Sequence, residues 1–564
     1  MKKIKNLLQI SLLIISLILI KNTIAQPISN HFFGENAWMP DTIGNANACT
    51  EPPCILYGKL HKQWNPVKSS KASIVRFGGI AADKNIPTNY QYIRMIDSIR
   101  ANGMEPIIQI PFSNYRYTAQ QAAAIVKYIN VTKARNIKYW IIGNEPDLGY
   151  SFTNASQIAN YFKPFASAMK NVDASILIVG PEVAWFNYPI ITGLTTVGGP
   201  DDITGKDANG HYYLDVISFH TYPFDGSQKR SDVVSKLTAA NSLQDNLTYL
   251  NSRVAACNIA HSRTGVTMLK TAITEANINW QNNASDNLNG VGANSFIGGQ
   301  FIAEMMGIGM KNSLDFINIW SVVEGNATAT NIGFIDAVTY NKKPSFFHFK
   351  LLAENFKGNY LNGTTNQAMV KSFGSNSGKE INVLILNEDL NNQFNFTVRL
   401  NSDAISGGNS LNININAGIP NEYTDVIPSQ ATVLLTFNSA GTIIKRQVYS
   451  LEAHAALNLP PTLTEFITTA IVEDIKSNTS DLDLNVFPNP SIGKFTVELN
   501  KENSGKNIEI AVVNSLGQEV YRTTSNFLNG REEIELSEAV ADGIYFVRVK
   551  DGENIFTKEM MLKK

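Results

Sequence analysis

Short apolar runs alternate with longer amphipathic stretches through residues 26–350. Eight runs begin apolar and end polar or aromatic. They are HFFGENAW (31–38), ASIVRFGG (72–79), EPIIQIPF (105–112), KYWIIGNE (138–145), SILIVGPE (175–182), DVISFHTY (215–222), KTAITEAN (270–277) and DFINIWSV (315–322). Runs of this length bounded by turn residues read as strands. Stretches of helical period lie between most of them, such as YQYIRMIDSIRANG and SQIANYFKPFASAMKNV, and end near Gly, Asn or Asp. Eight β-runs alternating with helices predict an α/β fold, the (β/α)8 TIM barrel. A doubly wound open sheet is the alternative, but the first strand is not followed by a Gly-rich phosphate loop.

Beyond residue 350 the pattern changes. Residues 351–448 alternate β-formers with polar residues, as in INVLILNE, FNFTVRL and ATVLLTF, which predicts an antiparallel β-sandwich. Residues 449–482 read as a linker, with Pro460, Pro461 and the polar run KSNTSDLD. Residues 483–564 return to short strands and predict a small C-terminal β-sandwich.

Composition narrows the class. Hydrophobic residues are 44% and charged residues 17% of 564, enough for large cores and too apolar for wholesale disorder. Lys+Arg is 47 and Asp+Glu 48, so no basic excess is available for nucleic acid. Residues 1–25 have a basic start, an apolar run and a small-residue end at Thr23-Ile24-Ala25, the pattern of a secretory signal peptide. The apolar run is short against the ~20 residues of a membrane span. Export would permit a Cys49–Cys54 loop closure and leave Cys257 single and buried. With seven His and three Cys, a zinc cluster is not expected.

In a parallel barrel the strand C-termini share one face, where barrel enzymes keep their chemistry. Glu145 and Glu275 end the fourth and seventh runs. Cleavage of a glycosidic bond needs an acid for the leaving oxygen and a second carboxylate on the other face of the sugar, and a spacing of about 5–5.5 Å gives retention. Alone, a Glu at a strand end more often makes an ion pair. Glu182 and Glu324 also lie near the mouth but lack the preceding Asn.

These residues resemble a known group. WIIGNEPDLG (140–149) looks like the acid/base motif of the retaining glycosidases of clan A, and ITEAN (273–277) sits where that clan keeps its nucleophile. VRFGG (75–79) resembles its Arg-containing second strand and SFHTYP (218–223) its sixth. The layout is similar to families 79, 39 and 51. The resemblance implies Glu145 as acid/base, Glu275 as nucleophile and Asn144 on the sugar 2-hydroxyl. It implies that Arg76 holds Glu275 ionised and that Tyr222 and His220 line the same wall. By the same resemblance Trp320 floors the cleaved sugar's subsite, with Trp38, Trp185 and Trp280 in neighbouring ones; flat aromatic faces suit a pyranose. No metal or organic cofactor is implied. The expected partner is a polysaccharide or oligosaccharide, and the expected state a monomer. A glycan-binding protein on a retired barrel and a transglycosylase using the same residues are the alternatives.

Residues 483–564 resemble the type IX secretion sorting domain of the Bacteroidota, through NVFPNPSIGKFTVEL (485–499), VVNSLGQEVY (512–521), DGIYFVRVKDG (542–552) and KEMMLKK (558–564). This implies the secretion machinery as a partner and a secreted or cell-surface location.

Overall fold

The computed structural model describes residues 26–37, 64–84, 86–112, 117–148, 152–324, 329–336, 338–401, 410–466, 484–499, 508–514, 519–525, 530–551 and 554–564. The signal peptide, Trp38, Cys49 and Cys54 lie outside these residues.

Eight strands close a barrel: β1 Phe33–Ala37, β2 Ile74–Phe77, β3 Glu105–Ile110, β4 Tyr139–Ile142, β5 Leu177–Val183, β6 Val216–Thr221, β7 Lys270–Ala276 and β8 Phe316–Ile319. Each is parallel to the next, and β8 returns to β1 at Phe33 opposite Ile317. That closure excludes the open sheet. The strands are buried on both faces, as parallel barrel strands must be.

Strand parity sorts their side chains. Ile74, Ile107, Tyr139, Ile141, Val179, Val216, Ala272 and Phe316 form one small core inside the barrel. Their neighbours Val75, Ile108, Trp140, Ile142, Ile178, Ile217 and Ile317 belong to the larger core shared with the helices. Two residues further along the inward parity come Arg76, Gln109, Ser218 and Thr274, with His220 one step beyond. The barrel interior is thus apolar at the strand starts and polar at their ends, all of it buried.

Local signals start the helices. Thr88 and Gln91 form a reciprocal capping box for Asn89–Ala101, and Asn154 caps Ala155–Val172. Two later helices, α1 Phe296–Lys311 and α2 Pro344–Asn355, pack against the next sheet, so α1 is buried through Met310. Gln300 Nε2 donates to the carbonyls of Asn387 (3.0 Å) and Ala431 (3.1 Å), and His348 Nε2 lies 2.8 Å from Thr432 Oγ1. A Cβ on Gly307 would lie 2.4 Å from the Phe373 ring, so the approach of α1 requires glycine there.

That sheet contains β9 Asn359–Thr365, β10 Val370–Asn376, β11 Glu380–Asn387, β12 Phe394–Arg399, β13 Leu411–Ile415, β14 Glu422–Ile427, β15 Ala431–Asn438, β16 Ile443–Ser450 and β17 Thr462–Glu465. Their order is β14-β12-β13-β9-β10-β11-β15-β16-β17, with Gln26–Pro27 beside β9. It folds over a core of its own that includes Ile381, Val383, Phe396, Val398, Ile413 and Val433. Most of the pairs are antiparallel, but β12 and β13 run parallel. The boundary expected at 350 falls inside α2, and β16 and β17 draw residues from the segment expected as linker.

The chain divides into two compact units, residues 1–464 and 465–564. In the second, Leu484–Phe487, Lys494–Leu499 and Arg531–Glu535 form one sheet. Ile508–Asn514, Glu519–Ser525, Gly543–Asp551 and Asn554–Leu562 form the other. Val497, Ile510, Val512, Val547 and Met560 fill the space between them.

Candidate active site

Arg76 is the hub of the polar end of the barrel. It is fully buried, and its guanidinium donates to groups from five other strands or strand ends. Nη1 reaches Glu275 Oε1 (2.7 Å) and Asn36 Oδ1 (3.0 Å). Nη2 reaches Asn144 Oδ1 (2.8 Å), Glu182 Oε2 (3.0 Å) and Gln109 Oε1 (3.2 Å). Only a planar fork with several fixed donors can do this, which a lysine cannot imitate.

The three carboxylates at the mouth all arrive by leaving strand parity. On β5, Val179 points inward, so Glu182 would point outward in a regular strand. An extra residue between Pro181 and Val183, with Glu182 at φ +64°, turns it in. On β7 an extra residue between Ile273 and Ala276 does the same for Glu275. After β4, Gly143 (φ +73°) and Glu145 (φ +45°) are both left-handed. Such a conformation is costly for a side-chain-bearing residue and is held by its surroundings. Glu145 N donates to Glu182 O (2.9 Å), and the buried Asp83 carboxyl accepts from Asn144 N (3.1 Å), Phe112 N (3.2 Å) and Gln109 Nε2 (2.8 Å). Burial pushes Asp83 up to about 8.

His220 joins the carboxylates. Its Nδ1 lies 3.0 Å from Glu145 Oε1 and 3.5 Å from Glu275 Oε2, and its Nε2 lies 3.2 Å from Glu182 Oε2. Burial pulls the imidazole down, but Glu275, Glu145 and Glu182 outweigh it and push it up to about 10. It is therefore an imidazolium at neutral pH. Burial also pushes Glu182 up, but Arg76, His220 and Ser218 together bring it down to about 2. Thr274 Oγ1 donates to it at 2.7 Å. Tyr222 OH donates to Glu275 Oε2 at 2.9 Å.

Glu275 departs from expectation in one respect. Arg76 and His220 do favour its ionised form, but burial outweighs them, so the carboxyl lies above its ordinary value. Glu145 adds to the upward push. The guanidinium does lie on Glu275, so the two carboxylates sit in unlike surroundings. Among the described residues the Glu145 carboxylate pairs with the shared imidazole, and it is the more exposed, at 17% of its side chain against 7% for Glu275.

One carboxylate oxygen from each of Glu145 and Glu275 and a ring nitrogen of His220 lie within 4.8 Å of one another. These three could geometrically hold a cation. The doubly protonated imidazole and the guanidinium on Glu275 make the donor set a poor one for it.

Trp320 is buried beside this cluster. Its carbonyl accepts from Asn277 Nδ2 (2.5 Å), and its side chain hydrogen-bonds the Glu324 carboxyl, which burial pushes up to about 8. Trp185 and Trp280 are half-exposed at the rim. Asn36 and Gln109 brace Arg76 and Asp83 braces Asn144, none of them expected as a site residue from the sequence. Inward parity identifies the first two, whereas nothing in the sequence marks Asp83. Cys257 is free and fully buried.

Comparison with known proteins agrees with the architecture. The fold is similar to the crystal structure of an α-L-arabinofuranosidase from Thermotoga maritima in complex with arabinose, with a TM-score of 0.53 and 17% identity over 73% of this chain and 97% of that one. A second arabinofuranosidase crystal structure matches with a TM-score of 0.51 and 16% identity, over 74% of this chain and 96% of that one. Residues 485–563 match the family model described as the secretion system C-terminal sorting domain, which supports export to the cell surface or beyond. No curated protein matches the chain.

Proposed function

We propose that this chain is an exported retaining glycoside hydrolase acting on a polysaccharide or oligosaccharide, with Glu145 as acid/base and Glu275 as nucleophile. The carrying observation is the separation of those carboxylates, whose oxygens approach within 4.8 Å. Inverting enzymes hold the pair roughly 6.5–9.5 Å apart to admit a water, and retaining ones about 5–5.5 Å.

The residues divide the work as follows. Glu275 attacks the anomeric carbon while Glu145 gives its proton to the leaving oxygen, so the glycosidic C–O bond breaks as the glycosyl–enzyme bond forms. A water then gives a proton to Glu145 and its oxygen to the anomeric carbon, which frees Glu275 and the sugar. Tyr222 and Arg76 aim and balance the nucleophile. Asn144 Oδ1 is engaged by Arg76, which leaves its Nδ2 to donate to a sugar 2-hydroxyl. Glu182 holds His220 and Arg76 from below and reaches no reacting atom. Trp320 floors the subsite of the cleaved sugar, and Trp185 and Trp280 flank it; aromatic faces suit sugar rings.

The test is reducing-sugar release with product masses on plant, algal and host glycans, including arabinofuranosides. Wild type should cleave at least one, and Glu145→Gln and Glu275→Gln should each lose about three orders of magnitude or more. Binding without cleavage, equal in all three proteins, would replace this reading with a glycan-binding one.

A further inference from the structure

Glu145 sits in a backbone conformation that needs support on both sides. It is left-handed (φ +45°) and precedes Pro146, whose ring narrows its choices further. Upstream, the Asp83 carboxyl holds the Asn144 N–H at 3.1 Å. Downstream, the regular pairing of β4 with β5 stops at Ile141 opposite Val179. Two rungs continue beyond it. Glu145 N donates to Glu182 O (2.9 Å), and Ala184 N donates to Asp147 Oδ1 (2.8 Å). In the second rung a side-chain carboxyl takes the part of a backbone acceptor. Leu148 N donates back to Glu145 O (3.0 Å), so Glu145 and Asp147 belong to one closed turn. Burial pushes the Asp147 carboxyl up to about 6, with Glu145 adding to the push and the Ala184 N–H and His220 opposing it. At neutral pH it is a carboxylate, and a hydrogen bond to an ionised acceptor is roughly twice as strong as a neutral one.

We infer that Asp147 is a positioning residue for the acid/base: by gripping Ala184 N it fixes the turn that aims the Glu145 carboxyl at the leaving oxygen. Asp147 itself touches no reacting atom. The inference deepens the glycosidase reading and rests on it for the role of Glu145. A leaving group separates this role from a merely structural one. A poor leaving group needs the acid's proton, and one that departs as a stable anion does not. A misaimed acid slows the first and spares the second, whereas a loosened fold slows both.

The test uses the full chain at neutral pH and measures kcat/KM, which reports the glycosylation step. The probes are the methyl and the 2,4-dinitrophenyl glycosides of the sugar that the hydrolysis assay identifies. Asp147→Ala should lose about a hundredfold on the methyl glycoside and no more than about threefold on the dinitrophenyl one. Asp147→Asn keeps the size and an oxygen acceptor without the charge, and should show the same split at about tenfold. It decides the matter if Asp147→Ala does not fold. A loss shared equally by the two glycosides, or no loss in the folded variants, would overturn the inference. Glu145→Gln is the reference. If it shows the split and the Asp147 variants do not, the inference fails alone. If Glu145→Gln loses equally on both glycosides, Glu145 is not the acid, and the reading of the site fails together with the inference.

Discussion

At the residue scale the site is an electrostatic balance around two buried cations, Arg76 and His220, and three carboxylates. Arg76 is the member least open to substitution. Arg76→Lys keeps the charge but cannot serve acceptors from five strands. Breaking a buried ion network of this kind costs about 3–5 kcal/mol. The variant should melt well below wild type in a thermal scan and lose about a hundredfold or more in kcat/KM. Glu182 can be separated from the reacting pair. Its carboxylate joins Glu275 and Glu145 in holding His220 up at about 10, so Glu182→Gln should lower the pH at which the His220 imidazolium titrates, read by NMR of the ring. The stability consequence has the opposite pH sense. Glu182 sits at about 2 in the folded protein, so its contribution is present above its ordinary value near 4.5 and lost as pH falls toward 2. Denaturant midpoints of wild type and Glu182→Gln should therefore converge in acid.

At the element scale, strand parity carries most of the account and its interruptions carry the rest. The eight runs, their order and the convergence of polar ends were legible because each inward position alternates with a helix-facing one. The residues that meet at the mouth were legible through motifs, Asn144 and Glu145 in WIIGNEPDLG, Glu275 in ITEAN, Arg76 in VRFGG, and His220 and Tyr222 in SFHTYP. The structural role of Glu182 was not legible. A period-two reading of LIVGPEV points it outward, and only the extra residue at Pro181–Val183 reverses it. Helix α1 provides a second element-level test. Glu304 on α1 and Glu388 just beyond β11 are both buried where helix meets sheet, and burial pushes Glu304 up to about 7 and Glu388 well above its ordinary value. A raised carboxylate stabilises the protonated form. That stability is complete below about 4.5 and is lost as pH rises through about 7. Wild type should lose on the order of 1–3 kcal/mol across this interval, and Glu304→Gln should lose less, by denaturant titration at pH 5 and pH 8.

At the scale of the whole molecule, the barrel and the β9–β17 sheet belong to one unit, and residues 465–564 form another with its own core. Helices α1 and α2 are buried by the sheet, so the sheet is part of the barrel unit's stability. A chain ending at residue 464 should fold and keep the glycosidase activity, because units with separate cores fold alone. In the native host it should fail to reach the outside, since the matched sorting segment is gone. A folded, active and normally exported truncation would contradict that division of labour.

The central claim is that Glu145 and Glu275 work by double displacement, and the anomeric configuration of the first-formed product tests it most directly. Proton NMR would follow wild-type hydrolysis of whichever glycan is cleaved, before mutarotation mixes the anomers. The account predicts that the product first appears with the configuration of the bond that was cut. An inverted first product would contradict it, because inversion activates a water with one carboxylate and forms no glycosyl–enzyme intermediate.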